Sequence, residues 1–171
     1  MADPRLTRLL DQLRATRFAD LKGARISLSI PVGERLLTEI VSGAIPASAP
    51  VRDLSIKARP GNLLQVKARV AKFDFLPAIT VTLEIDQQPR LPDTPLGLRV
   101  RSFPGMTAMA NSLLAPGALP RGVRLDGDRL SVDMRQLLEA GGYADLAPLV
   151  ERIHVATDDG RLIVELDARV P

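Results

Sequence analysis

Few side chains in this sequence are of a type and spacing that could do covalent chemistry. It has 171 residues with no cysteine and a single histidine, which excludes a catalytic thiol, a disulfide and a metal cage of His and Cys ligands. His154 lies between Ile153 and Val155, so strand alternation turns it to the polar side, where no fixed partner prepares it as a general base. The acidic pairs Asp126/Asp128 and Asp158/Asp159 flank or precede Gly127 and Gly160. They read as hairpin turns, and neither has the spacing of a calcium-binding loop. No G-x-S-x-G elbow and no glycine-rich phosphate cradle occurs. The expectation is a non-enzymatic protein, with no catalytic residue, metal or cofactor assigned.

The basic residues are more regularly placed. Lys57 and Arg59 fall opposite the apolar face of one strand, and Lys67 and Arg69 do the same on the next, with Arg52 and Lys72 beside them. Such a strip is suited to phosphate, on an anionic membrane or on nucleic acid. Residues 1–72 carry 13 Lys/Arg against 6 Asp/Glu, and residues 73–171 carry 10 against 14, so the chain has one basic end. Aromatics make up only 3% of the chain, with no Trp. Bases therefore have little to stack on, and no helix is rich in Arg or Asn. These observations argue against nucleic acid and leave two readings of the strip, an ordinary solvated sheet face and a peripheral contact with an anionic membrane.

The elements that position these residues follow from composition and periodicity. A chain of this length forms one domain (1–171) and buries about 70% of its extended surface. With 46% hydrophobic residues and few rings, its core is aliphatic. No run of 18 apolar residues appears, and MADPRLTRLLDQ lacks the apolar region of a signal peptide. Cytoplasmic location is the default reading, with the cell envelope open to a processed or trimmed chain.

Along the chain, Pro4 to Gly23 predicts an added N-terminal amphipathic helix (1–23). Residues 25–30 alternate as a strand, and Pro31 is expected to stop it and start a helix to about residue 42. A hairpin follows around RPGN at 59–62, with a bulge expected near Ala71. Middle strands at 79–85 and 96–100 lead to a helix over 106–114, within a middle segment 73–129. The last part, 130–171, again reads as strand, short helix and hairpin. Val51, Leu54, Ile56 and Gly61 precede Val150, Ile153, Val155 and Gly160 by 99 residues, and Ala68, Arg69 and Val70 precede Ala168, Arg169 and Val170 by 100. Segments 24–72 and 130–171 therefore predict a duplicated strand–helix–hairpin unit. Period-2 alternation in nearly every strand predicts antiparallel pairing and an α+β class.

Strand, amphipathic helix and long aliphatic strands over 26–70, 79–100 and 130–170 resemble the tubular lipid-binding (TULIP) superfamily, especially its small bacterial members. The resemblance implies a strongly curved antiparallel sheet wrapping amphipathic helices. It also implies a non-enzymatic protein that holds a lipid or other hydrophobic small molecule. It carries over no individual functional residue.

Read on this chain, an apolar groove would be lined by Leu36, Leu37 and Ile40 from the first helix and by Met106, Met109 and Leu113 from the middle one. Val66, Ile79, Val81, Leu83 and Val164 would line it from the strands. A solid core would use the same residues, so the alternative is a structural or self-associating protein, such as a homodimer, without a small ligand.

Overall fold

Alternating side chains make strands, and the way those strands share their edges decides how they assemble. The structure, a computed structural model, describes residues 15–16, 18–47, 49, 51–70, 78–101 and 119–171. Among the described residues, nine strands and two α-helices follow in order: β1 (Arg25–Gly33), α1 (Glu34–Ala44), β2 (Val51–Arg59), β3 (Leu63–Val70), β4 (Ile79–Gln87), β5 (Leu96–Val100), β6 (Val123–Asp126), β7 (Arg129–Val132), α2 (Met134–Ala140), β8 (Val150–Asp158) and β9 (Arg161–Arg169). Short 3-10 turns occupy Ala19–Leu21 and Ala144–Leu149. Most of the expected N-terminal helix and the whole of the expected 106–114 helix lie outside the described residues, as does the bulge expected near Ala71.

The fold is α+β with antiparallel ladders, but the single curved sheet wrapping helices is not what forms. Among the described residues two separate sheets are present, a three-stranded one in the order β1–β9–β8 and a six-stranded one in the order β2–β3–β4–β5–β7–β6. The reason lies at the edges that would have had to join. Along β2, the Ile56 N–H donates to Thr38 Oγ1 at 3.0 Å and the Ala58 N–H to Glu34 Oε1 at 3.0 Å. Glu34 and Thr38 are one turn apart on α1, so both reach the same strand edge.

Along β8, the Gln88 side-chain amide takes both main-chain groups of Val155. It accepts from the N–H and donates to the carbonyl, each at 2.8 Å. Thr157 Oγ1 donates to the Arg59 carbonyl at 2.6 Å, and the Gly160 N–H donates to the Ala58 carbonyl at 3.2 Å. Side chains and one turn thus satisfy groups that a continuous ladder would have used. The sheets meet there without merging.

Local sequence accounts for the elements themselves. Pro31 does not end β1; the strand continues to Gly33 and α1 begins at Glu34. A proline is tolerated because β1 is an outer strand, where a missing donor breaks no essential ladder bond. The β2–β3 turn carries Gly61 and Asn62 at φ 82° and 62°, a conformation these residue types adopt at low cost. Between Arg52 and Ser55 the β2–β3 register shifts, with Asp53 at φ 51°. α2 is capped by Asp133, whose carboxylate accepts from the Gln136 N–H at 3.1 Å while the Gln136 amide returns to it at 2.9 Å.

Segments 24–72 and 130–171 share the order strand, helix, hairpin, but neither is self-contained. In each, the helix carries the chain into the other sheet: β1 lies with β8–β9, and β7 lies in the sheet of β2–β3. Their pairing also differs, since β1 runs beside β9 whereas β7 sits between β5 and β6. The core gathers where the sheets and α1 meet. It comprises Leu37, Ile56, Ala58, Leu64, Ile85, Leu98, Ile153 and Val155.

Candidate binding surfaces

Two surfaces stand apart from ordinary packing, one aliphatic and one basic. The aliphatic one belongs to the three-stranded sheet. Cross-strand pairing aligns Ile153 with Leu166 and Leu28, and Val155 with Val164 and Ile30. Along both rows burial falls away from the core. Ile153 and Val155 are buried, Leu166 and Val164 are half-buried, and Leu28 and Ile30 are 48% and 47% exposed. Ile26 continues the outer row, while Val32 at the other end of β1 packs against the core. The core-facing side of this sheet therefore runs out to water at β1.

The first helix behaves in the same way. Leu37 and Val41 pack in or against the core, while Leu36 and Ile40, on the adjoining flank, are 49% and 55% exposed. Isolated exposed aliphatics are ordinary, but runs of them mark surfaces with something to cover. Full burial of one large aliphatic side chain is worth about 1.5–3 kcal/mol. At their observed exposures, Ile26, Leu28, Ile30, Leu36 and Ile40 together leave about 4–7 kcal/mol of burial unrealised.

The expected groove lining divides between these environments. Leu37, Val66, Leu83 and Val164 lie in the core or against it, Ile79 and Val81 are half-buried, and Leu36 and Ile40 face solvent. Met106, Met109 and Leu113 lie outside the described residues. Ile26, Leu28 and Ile30 were absent from the expected lining. Their alternation marks them as one face of a strand, but the open side of that face depends on the strand order.

The basic surface is the outer face of the six-stranded sheet. Registers place Lys57 opposite Gln65, Ser55 opposite Lys67, and Arg59 opposite Leu63. The same face continues through Glu84, Arg99 and Arg129 on β4, β5 and β7. The shifted register also brings Arg52 opposite Arg69. The expected residues Lys57, Arg59, Lys67 and Arg69 thus lie on one face, extended by arginines distant in sequence.

Several of these cations are paired. Arg59 meets Asp159 at 3.6 Å, Arg69 meets Asp53 at 3.8 Å, and Asp86 is shared by Arg99 at 3.3 Å and Arg129 at 3.2 Å. Arg101 binds the Glu84 carboxylate, and that hydrogen bond holds Glu84 below its ordinary pKa. The same contact raises the Arg101 pKa. Lys57, Lys67, Arg52 and Arg124 have no ion pair among the described residues.

Among the described residues, no group of three His, Cys, Asp or Glu side chains is placed to hold a metal ion, and no helix is long and apolar enough to cross a membrane. No family model, curated protein or solved structure matches the chain.

Proposed function

We propose that this protein binds a lipid or another hydrophobic molecule along the aliphatic surface of β1 and α1, and catalyses no reaction. The observation that carries this reading is the exposure of Leu28 and Ile30 on rows that begin in the core at Ile153 and Val155. A hydrophobic ligand laid on β1 would continue the packing that β8 and β9 receive from the interior. Its binding would recover burial free energy, and its unbranched chain could follow the row formed every second residue of the strand. The resemblance to tubular lipid-binding proteins belongs to the same proposal. The curved sheet it implied does not form, so support for the ligand class comes from the exposed aliphatic rows of β1 and α1.

Native mass spectrometry of the purified protein, followed by organic extraction, tests the proposal. A retained lipid, absent from a Leu28→Ser/Ile30→Ser variant that still folds, is the expected result. Protein free of lipid that takes up none from mixed micelles would count against it.

A second reading, self-association through β1, is favoured by one observation. The facing edges of β2 and β8 are closed by side chains, whereas no such hydrogen bond covers the outer edge of β1 among the described residues. Two copies pairing antiparallel along β1 would extend the sheet and bring the aliphatic rows of both side by side. Light scattering across a hundredfold concentration range decides it: a mass of one chain throughout removes this reading.

A further inference from the structure

We propose that the outer face of the six-stranded sheet docks on the headgroups of an anionic lipid bilayer. This goes beyond hydrophobic-ligand binding, because it concerns the opposite side of the strands that carry the core. The first support is charge complementarity. On this face Lys57, Lys67, Arg52 and Arg124 lack carboxylate partners among the described residues, and the single carboxylate of Asp86 serves both Arg99 and Arg129. Asp126 stands opposite Arg129 on the same face, so the positive surplus is largest on β2 and β3 and smaller towards β6.

The second support is shape. Neighbouring strands lie about 4.8 Å apart, so six strands spread these cations over roughly 24 Å across the sheet as well as along it. Charges this far apart exceed the screening length of about 8 Å at physiological salt, and each must meet an anion locally. A bilayer offers phosphates throughout a plane. A nucleic-acid duplex offers them along two lines and is normally read by an element that enters a groove, which this sheet face does not supply. With one Tyr and no Trp in the chain, stacking on single-stranded bases is also poorly served.

The experiment is co-sedimentation of the full chain with vesicles of phosphatidylcholine alone or containing 30% phosphatidylserine, at low and high salt. The expected result is binding to the anionic vesicles only, weakened by salt. Lys57→Gln/Lys67→Gln should weaken it about thirtyfold, given the usual contribution of a basic residue near such a surface. Neither lysine has an ion pair among the described residues, so the variant's melting temperature should be close to that of the wild type. If it nevertheless fails to fold, Arg124→Gln with Lys67→Gln replaces it.

Equal binding to neutral and anionic vesicles, or full binding by the lysine variant, overturns the proposal. So does salt-sensitive binding to duplex DNA without vesicle binding. Leu28→Ser/Ile30→Ser keeps this test separate from the hydrophobic-ligand reading: it should lose retained lipid and keep anionic-vesicle binding. Loss of vesicle binding in that variant alone would assign attachment to the aliphatic surface and sink the docking proposal.

Discussion

Replacing Gln88 with alanine should loosen the joint between the two sheets. The Gln88 amide accepts from the Val155 N–H and donates to the Val155 carbonyl, both at 2.8 Å, and Val155 is only 2% exposed. Alanine removes both partners from main-chain groups that water reaches poorly. Each buried group left unsatisfied costs about 1–3 kcal/mol, so Gln88→Ala should lower stability by about 2–5 kcal/mol, the upper end applying if no water enters. Gln88→Glu can still accept from the N–H but sets a carboxylate oxygen against the carbonyl. It should fall short of wild type even though it is nearly the same size. Urea denaturation followed by circular dichroism measures both. Hydrogen exchange adds a local readout, since the Val155 amide should lose protection in Gln88→Ala more than the amides in the middle of β9. A change below about 0.5 kcal/mol in Gln88→Ala, with Val155 protection intact, would refute the account of how the β8 edge is closed.

Three further outcomes follow from the same geometry. Leu37→Ala should cost about 2–4 kcal/mol because it opens the core, whereas Ile40→Ala, one turn away on the exposed flank, should cost under about 1 kcal/mol in the same denaturation assay. Gly97→Ala should destabilise the β4–β5 pair, since an added Cβ would stand 2.7 Å from Gln87 Cβ and 2.8 Å from Asp86 Oδ1. A thermal melt at or above that of the wild type would contradict this. Glu84 is held below its ordinary pKa by Arg101, so its contribution is present above the unfolded-state pKa and is lost as pH falls through the folded one. Glu84→Gln should therefore be less stable than wild type near neutrality. That gap should close below the ordinary carboxylate range, as acid denaturation of both proteins would show.

Local elements were largely legible in the sequence, and their assembly was not. Alternation at Ile79, Val81, Leu83 and Ile85 marks β4 with little ambiguity, and Asp126-Gly127-Asp128 marks the β6–β7 turn. Pro31 misleads because its effect depends on whether the strand is an outer one, which is a property of the sheet. The split into two sheets turns on strand-edge N–H groups donating to Glu34 and Thr38 and on the Gln88 amide bonding both ways with Val155. These residues look like ordinary polar positions until their partners are known. Lys57, Arg59, Lys67 and Arg69 could be placed on one face from alternation within a single hairpin. Joining Arg99 and Arg129 to that face requires the order β3–β4–β5–β7, which no local pattern encodes. The exposure of Leu28 and Ile30 was hidden for a related reason: an alternating row looks the same whether its sheet ends beneath a helix or in water.

The central claim is that the aliphatic surface of β1 takes a hydrophobic ligand, and titration with a fluorescent fatty acyl probe tests it most directly. Wild-type protein should bind the probe saturably. Leu28→Ser/Ile30→Ser should bind it roughly tenfold or more weakly while still unfolding cooperatively, at a stability cost of about 2–3 kcal/mol for the buried half of the two side chains. No saturable binding by the wild type, or equal binding by the variant, would contradict the claim.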